Sequence, residues 1–385
     1  MTPMAQDEVV RRFHALYRKS RCKEERSHLL DELCAVIEVH RKHAIRLLNG
    51  PEPDIKPPPR RSRGPSYPEA AIRFLAKIWV AAHFPCSLRL RALLPLWLPQ
   101  ARKRFKGLTP ELEAALRKMS TSQMERRLAS YKQAAGRRIY GHTKPGGLLK
   151  HQIAIKTDHG DVSQPGYVEV DLVSHSGPNA SGDFVYSLNL TDIHTGWVES
   201  ASIMGKGEAG VVCALDALRQ ALPFTLRGLH SDNGSEFINY HLEGYCKKHR
   251  IEFTRSRPCK KNDNAHIEQK NWTHVRKLMG WDRYDSQEAL EAMNTLYRGA
   301  LRLMMNLYQP AMKLTSKERI GSRIKRKYSN PQTPLDRLVA YYRQHKMTLP
   351  PAVRTTQNQR DRFDPFTLSE QVDRGLEKIH QLRRK

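Results

Sequence analysis

Several things are missing from this chain of 385 residues. Its six cysteines (22, 34, 86, 213, 246 and 259) include no C-x-x-C pair. That argues against a disulfide scaffold or a zinc ribbon, and for reduced thiols in a cytoplasmic compartment. No apolar run approaches the roughly 18 residues that a membrane span needs. Met1 to Arg12 holds no apolar stretch of the kind a secretory leader carries. No repeat recurs with a period of about 20–50 residues, so a solenoid is excluded. Acidic residues are also scarce, at 39 Asp+Glu against 66 Lys+Arg. What is present is enough apolar side chain, 39%, for a substantial core.

The net charge of +27 points to a polyanionic partner, most simply nucleic acid. Its distribution is uneven. Residues 1–150 hold 31 basic and 13 acidic side chains, and residues 301–385 hold 19 and 7. Between them, residues 151–250 hold 7 basic and 12 acidic. A protein that only coats nucleic acid gains nothing from an acidic block, whereas an enzyme that gathers carboxylates around a divalent cation does.

Apolar periodicity predicts helices through 7–49, with Val10, Phe13, Leu16, Tyr17, Leu29, Leu30, Leu33 and Ile37 facing inward. A short basic helix follows at Arg41–Asn49, with Ala44, Ile45, Leu47 and Leu48 available to a core. Arg41, Lys42 and Arg46 would face out, as in a helix-turn-helix whose last helix enters the major groove. Residues 51–66 read as an extended linker rich in proline, and Arg60, Arg61 and Arg63 suit a minor groove or a plain basic spacer. Helices are expected again at 67–82, 87–98, 109–118 and 121–135. Ser120 with Gln123 forms a capping box, and Ser122, Gln123, Arg126 and Arg127 lie on the polar side of a second DNA-binding module. The domains expected are therefore 1–50, the linker 51–66, 67–140, a core at 155–305 and a basic C-terminal region at 306–385. That last region ends in a helix opened by Asp364-Pro365. Its stripe Leu368, Val372, Leu376, Ile379 and Leu382 suits either an oligomer contact or the chain's own core.

Residues 166–254 change period. Three meandering strands, then helix, strand, helix and strand predict a mixed α/β sheet. In the first strand Glu169 and Asp171 point opposite to Val168, Val170 and Leu172. An aspartate in mid-strand is unfavourable unless it serves a site. Asp232 follows the short strand 226–230, at a strand tip where α/β sheets build sites, and Asn233-Gly234 makes a tight turn there. Glu268 lies on a following helix, past its capping zone, after the basic loop holding Arg255, Arg257, Lys260 and Lys261, with Lys270 beyond. Lys and Arg there would meet phosphate, and Asn264 and Asn271 flank Glu268. Three carboxylates without a His/Cys cluster suit a hard cation such as Mg²⁺.

The segments Pro165-Gly-Tyr-Val-Glu-Val-Asp-Leu-Val-Ser-His, Thr191-Asp-Ile-His-Thr-Gly-Trp, Ser231-Asp-Asn-Gly-Ser-Glu-Phe and Thr254-Arg-Ser-Arg-Pro-Cys-Lys-Lys-Asn-Asp-Asn-Ala-His-Ile-Glu-Gln-Lys-Asn-Trp resemble the integrase-core transposases of insertion sequences. Asp232 and Glu268 have 35 residues between them, which is similar to the Asp-Asp-Glu signature of that family. The resemblance implies a ribonuclease-H-like α/β core, two Mg²⁺ or Mn²⁺ ions and a triad of Asp171, Asp232 and Glu268. It further implies cleavage and strand transfer of double-stranded DNA at element ends, by a homo-oligomer acting at the bacterial nucleoid, away from membranes. The zinc module of retroviral integrases is not matched, because Cys22, Cys34, His40 and His43 stand in the wrong order. A DNA-binding regulator without catalysis, and a nuclease that cuts without joining, are the alternatives.

Overall fold

The computed structural model describes residues 3–51, 67–139, 162–231, 236–237, 239–255, 265–320 and 323–384. Arg60, Arg61, Arg63, Asp232, Arg257, Lys260, Lys261 and Asn264 lie outside the described residues. Among the described residues, no helix is long and apolar enough to cross a membrane. The chain divides into two compact units, Met1–Ser66 and Tyr67–Lys385.

The first unit is three helices, α1 (Pro3–Lys19), α2 (Lys23–Ile37) and α3 (Arg41–Asn49), each in contact with the other two. Val10, Leu30, Leu33, Ile37, Ala44 and Leu48 form its core. Cys22 and His40 are helix caps here: Cys22 Sγ accepts from Glu25 N at 3.4 Å, and His40 Nδ1 from Lys42 N at 3.2 Å. Glu38, at φ +53°, turns the chain between α2 and α3 in the left-handed region. Two expected core residues face out instead, Leu16 at 52% exposure and Ile45 at 38%. Among the described residues the buried positions are Val10 and His14 on α1 and Ala44 and Leu48 on α3, and Leu16 and Ile45 lie off that stripe.

The second unit opens with α4 (Glu69–Ala81), α5 (Ser87–Arg104), α6 (Pro110–Lys118), α7 (Thr121–Arg127) and α8 (Ala129–Ile139). Helix α5 runs past Pro95 and Pro99. Both prolines sit on its exposed side, where water can take the carbonyls they leave unpaired. The single helix expected at 121–135 is broken at Leu128 (φ −85°, ψ 0°), and Ser120 Oγ caps α7 by accepting from Gln123 N.

The strands are β1 (Tyr167–Ser174), β2 (Val185–Asp192), β3 (Val198–Met204), β4 (Gly228–Ser231) and β5 (Glu252–Arg255). Their order is β3-β2-β1-β4-β5. β1, β2 and β3 form an antiparallel meander, and β4 and β5 add in parallel beside β1. This is the mixed α/β sheet with helices that the change of period at 166–254 predicts. α9 (Glu208–Ala221) joins β3 to β4 and packs on β2 and β3, and α10 (Tyr240–His249) joins β4 to β5. Asp192 organises the β2–β3 turn by accepting from Gly166 N, Thr195 N and Thr195 Oγ at 2.6–2.8 Å.

α11 is Ala265–Lys270 continued through a π-helical turn, Asn271–Arg276, to Lys277–Met279. α12 is Gln287–Leu296, continued through the π turns Tyr297–Leu301 and Met304–Tyr308. Helix α12 protects the free edge of β3. Asn294 bonds both N and O of Ser202, and Asn306 both N and O of Val198, at 2.8–3.0 Å. Each side-chain amide stands in for a missing strand partner.

The chain ends with a hairpin, β6 (Leu314–Ile320) and β7 (Arg323–Tyr328), and helices α13 (Pro334–Gln344), α14 (Pro351–Arg362) and α15 (Pro365–Gln381). Asp364 caps α15 through Phe366 N and Thr367 N. Its stripe is used inside the chain: Leu368, Val372 and Ile379 are buried, and Gly375 lies so close to Leu296 that an added Cβ would meet it at 3.0 Å. The boundaries expected near 140–155 and 305 do not separate packed bodies, because one apolar core runs from Ala71 to Ile379.

Candidate active site

Asp171 sits in the middle of the central strand, half-buried. Its register partner on β2 is Asn189, whose partner on β3 is Ser200. The three residues therefore stand in one rung on one face of the sheet. They are chained by hydrogen bonds that reach the carboxylate through α11. Ser200 Oγ donates to Asn189 Oδ1 at 2.6 Å, Asn189 Nδ2 donates to Asn271 Oδ1 at 2.5 Å, and Asn271 Nδ2 donates to Asp171 Oδ2 at 2.6 Å. Leu172 N donates to Asp171 Oδ1 at 2.8 Å. Both carboxylate oxygens are thus held by N–H groups, which fixes the plane of the group.

Asn271 is one helical turn after Glu268. Residues three apart on a helix have Cβ atoms about 5–6 Å apart on one side. The Asn271–Asp171 bond therefore sets the helix turn that carries the exposed Glu268 beside the middle of β1. Glu169, fully buried on the same face as Asp171, accepts from Ile267 N at 2.8 Å and so anchors the start of α11 on β1. The π turn begins at Asn271, and such turns are frequent at functional sites. Glu268 lies in the first turn of α11, not past the capping zone as its sequence position suggested. A helix N-terminus alone therefore gives an acid at this position a reason to be there.

β4 ends at Ser231, paired with Val170, the residue before Asp171. Asp232, next in the chain, is outside the described residues, so two of the three expected carboxylates are seen. Among the described residues, no group of three His, Cys, Asp or Glu side chains could hold a metal ion. Arg255 closes β5 opposite Ser231. Glu236 precedes α10, whose cap is Asn239, and lies 4.0 Å from Lys206 Nζ. It is therefore not part of that helix.

Lys270 is half-buried rather than solvated. Burial, with the guanidinium groups of Arg89 and Arg337 nearby, pushes its pKa down to about 7. Trp197 is core, at 1% exposure, and donates to Glu199 at 2.8 Å. Trp272 is 50% exposed. His175 bonds Ser187 Oγ at 2.8 Å, and Ser187 in turn bonds Tyr297 Oη at 2.7 Å. All three side chains are sealed in the core, so this Ser–His pair is no hydrolytic site. Burial pushes the His175 pKa down to about 3, leaving a neutral ring.

Of the remaining expected DNA contacts, Arg41 bridges to Asp31 and to Ser27 Oγ within its own unit. Lys42 and Arg46 are exposed on α3, Ser122 and Arg126 are exposed on α7, and Gln123 and Arg127 are half-buried there. Sequence reasoning missed Asn189 and Ser200. The signal was available: β2 is a covered strand, yet Ser187, Asn189 and Thr191 place a polar residue at every second position.

The fold class is thus a five-stranded mixed α/β core with a carboxylate at its centre. No family model matches the sequence. Over 333 residues the chain is 37% identical to the uncharacterized protein y4rM of Sinorhizobium fredii (strain NBRC 101917 / NGR234), a match covering 86% of this chain and 94% of that protein. The chain belongs to the family of y4rM. Among solved structures it is similar to the catalytic core domain of BIV integrase, at 18% identity over 47% of this chain and 99% of that one, with a TM-score of 0.32. So low a score decides nothing.

Proposed function

We propose that this protein is a DNA transposase, a polynucleotidyl transferase that cuts and joins double-stranded DNA at the ends of a mobile element. One observation carries the reading: the Asn271–Asp171 hydrogen bond ties the mid-strand aspartate to the helix turn bearing Glu268. Asp171, Asp232 and Glu268 would hold divalent cations. Oxygen-only donors suit Mg²⁺ or Mn²⁺, and Asp171 is held in one plane ready to donate. When bound, such ions lower the pKa of a water or hydroxyl nucleophile and offset charge on the leaving oxygen.

The chain's own residues do the rest. Asn271 and Leu172 N fix Asp171, and Glu169 fixes α11. The first step is substitution at phosphorus: water attacks, the bond to the 3′-oxygen breaks, and that oxygen leaves as a hydroxyl. In the second, this 3′-hydroxyl attacks a phosphodiester of target DNA and displaces its 3′-oxygen. Helices α2 and α3, joined by a three-residue turn, and helices α6 and α7 serve as the DNA-recognition modules in this reading. The test is a cleavage and joining assay on intact and pre-cut element-end duplexes with Mg²⁺ or Mn²⁺. The full chain should convert them, and no conversion with either metal would sink the reading.

A further inference from the structure

The hairpin β6–β7 is the feature the site does not use. Leu314–Tyr328 holds six basic residues, Lys317, Arg319, Arg323, Lys325, Arg326 and Lys327, against the one acid Glu318. Among the described residues none of the hairpin enters the apolar core, and Tyr328 is 55% exposed. An isolated two-stranded ribbon is at best marginally stable in water. This one is held at its root instead. Lys313 and Ser329 exchange hydrogen bonds, and Ala311 pairs with Gln332. Arg89 donates to Pro310 O at 2.6 Å, Arg337 donates to Ala311 O and Thr195 O, and Lys313 Nζ donates to His194 O at 2.6 Å.

Those cations are engaged at the root itself: Arg337 is buried, at 7% exposure, and both of its arms donate to carbonyls. The acids closest to them in charge are already engaged. Asp192 holds the β2–β3 turn, and Asp336 accepts from Thr333 and Arg360. A ribbon rich in cations thus stands on a fixed root, and none of its described residues joins the apolar core.

We propose that β6–β7 is a DNA-binding ribbon that enters a groove of a duplex, carried on a root that Arg89, Lys313 and Arg337 hold in place through backbone carbonyls. A two-stranded ribbon fits the major groove of B-form DNA, whereas the major groove of A-form RNA is too narrow for it. The inference rests on the reading of this chain as one that acts on duplex DNA.

The test uses the full chain and a labelled duplex of about 30 base pairs. Binding is measured against salt for the wild type and for a triple variant, Lys325→Gln, Arg326→Gln and Lys327→Gln. Each lost phosphate contact lowers the slope of log affinity on log salt by about 0.9, so the triple variant should lose about 2–3 in slope and roughly 10–100-fold in affinity near 0.1 M salt. Lys325→Arg with Lys327→Arg should bind as the wild type does, and melting temperatures should match throughout. An unchanged slope in the triple variant overturns the ribbon and leaves the reading of the site standing. So does equal affinity for an RNA duplex. A wild-type chain that binds no duplex overturns both.

Discussion

The two faces of the β1–β2–β3 meander are built from alternate residues of the same three strands, yet they differ in kind. One carries Val168, Val170, Leu188, Leu190, Ala201 and Ile203, all buried. The other carries Glu169, Asp171, Ser187, Asn189, Thr191, Ser200 and Ser202 among Val173, Val185 and Val198, while Asp192 and Glu199 are the charges on the first face. The apolar face supplies stability at roughly 25 cal/mol per Å² removed from water. The polar face costs free energy wherever a group lacks a partner, and Thr191 Oγ and Ser202 Oγ have none among the described residues. A chain whose sole constraint was to fold would make both faces alike. The difference separates residues that hold the sheet from residues that keep a carboxylate aimed.

The sharpest way to break this comparison is to neutralise the carboxylates. Asp171→Asn and Glu268→Gln should each cut metal-dependent cleavage by about 10³-fold or more, of order 4 kcal/mol in barrier, with the melting temperature little changed. A Glu268→Gln enzyme that still cleaves would leave Glu268 as an acid at a helix start and nothing more. The opposite face predicts the reverse pattern. Leu188→Ala or Leu190→Ala should cost about 3 kcal/mol in urea unfolding, because each leaves a cavity in a fully buried site, while folded molecules keep their cleavage rate.

His175 extends the polar face past the end of β1, and its effect is read in pH. Its folded pKa of about 3 lies below the ordinary 6.5, so between those values the unfolded chain binds the extra proton. Its contribution is fully present above pH 6.5 and is lost as pH falls toward 3. At pH 5 the loss is about 2 kcal/mol. His175→Gln should flatten the acid side of a plot of unfolding free energy against pH. An equally steep acid limb in the variant would remove His175 from the account.

The sheet, its strand limits and most helices were legible in the sequence because their signals are local: period two, period 3.6, Ser120 and Asp364 as caps. Asp171 was legible for the same reason, as a charge in the middle of an apolar strand. The long-range pairings were not. Asn189 is unremarkable along β2 and acquires a role only when register sets it beside Asp171 and α11 lays Asn271 between them. The break at the 51–66 linker matches the division into two units, whereas the continuity of the second unit was hidden for a related reason. Pro/Gly-marked polar stretches show where the chain is not helical, but they do not show that Gln309 donates to Ala82 O or that Arg104 pairs with Asp364 and Glu370.

The finest test addresses the direction of the rung. The Asp171 carboxylate can only accept, which turns Asn271 Nδ2 toward it, so Asn271 Oδ1 accepts from Asn189 Nδ2 and Asn189 Oδ1 accepts from the Ser200 hydroxyl. Asn189→Ala removes the middle link and leaves the Asn271 amide held at the Asp171 end alone, so cleavage should fall a few-fold. Asn189→Asp is nearly the same shape and should be worse, about tenfold or 1.4 kcal/mol in barrier. A carboxylate there draws the Asn271 Nδ2 group to itself and presents the amide oxygen to Asp171. Ser200→Ala, one link further out, should cost least. The measurement is single-turnover cleavage against Mg²⁺ concentration. Weakened orientation of Asp171 should raise the Mg²⁺ needed for half-maximal rate in the same order, which a purely structural defect would not do. If Asn189→Asp cleaves as well as Asn189→Ala at every Mg²⁺ concentration, the amide chain packs the sheet and does not aim its carboxylate.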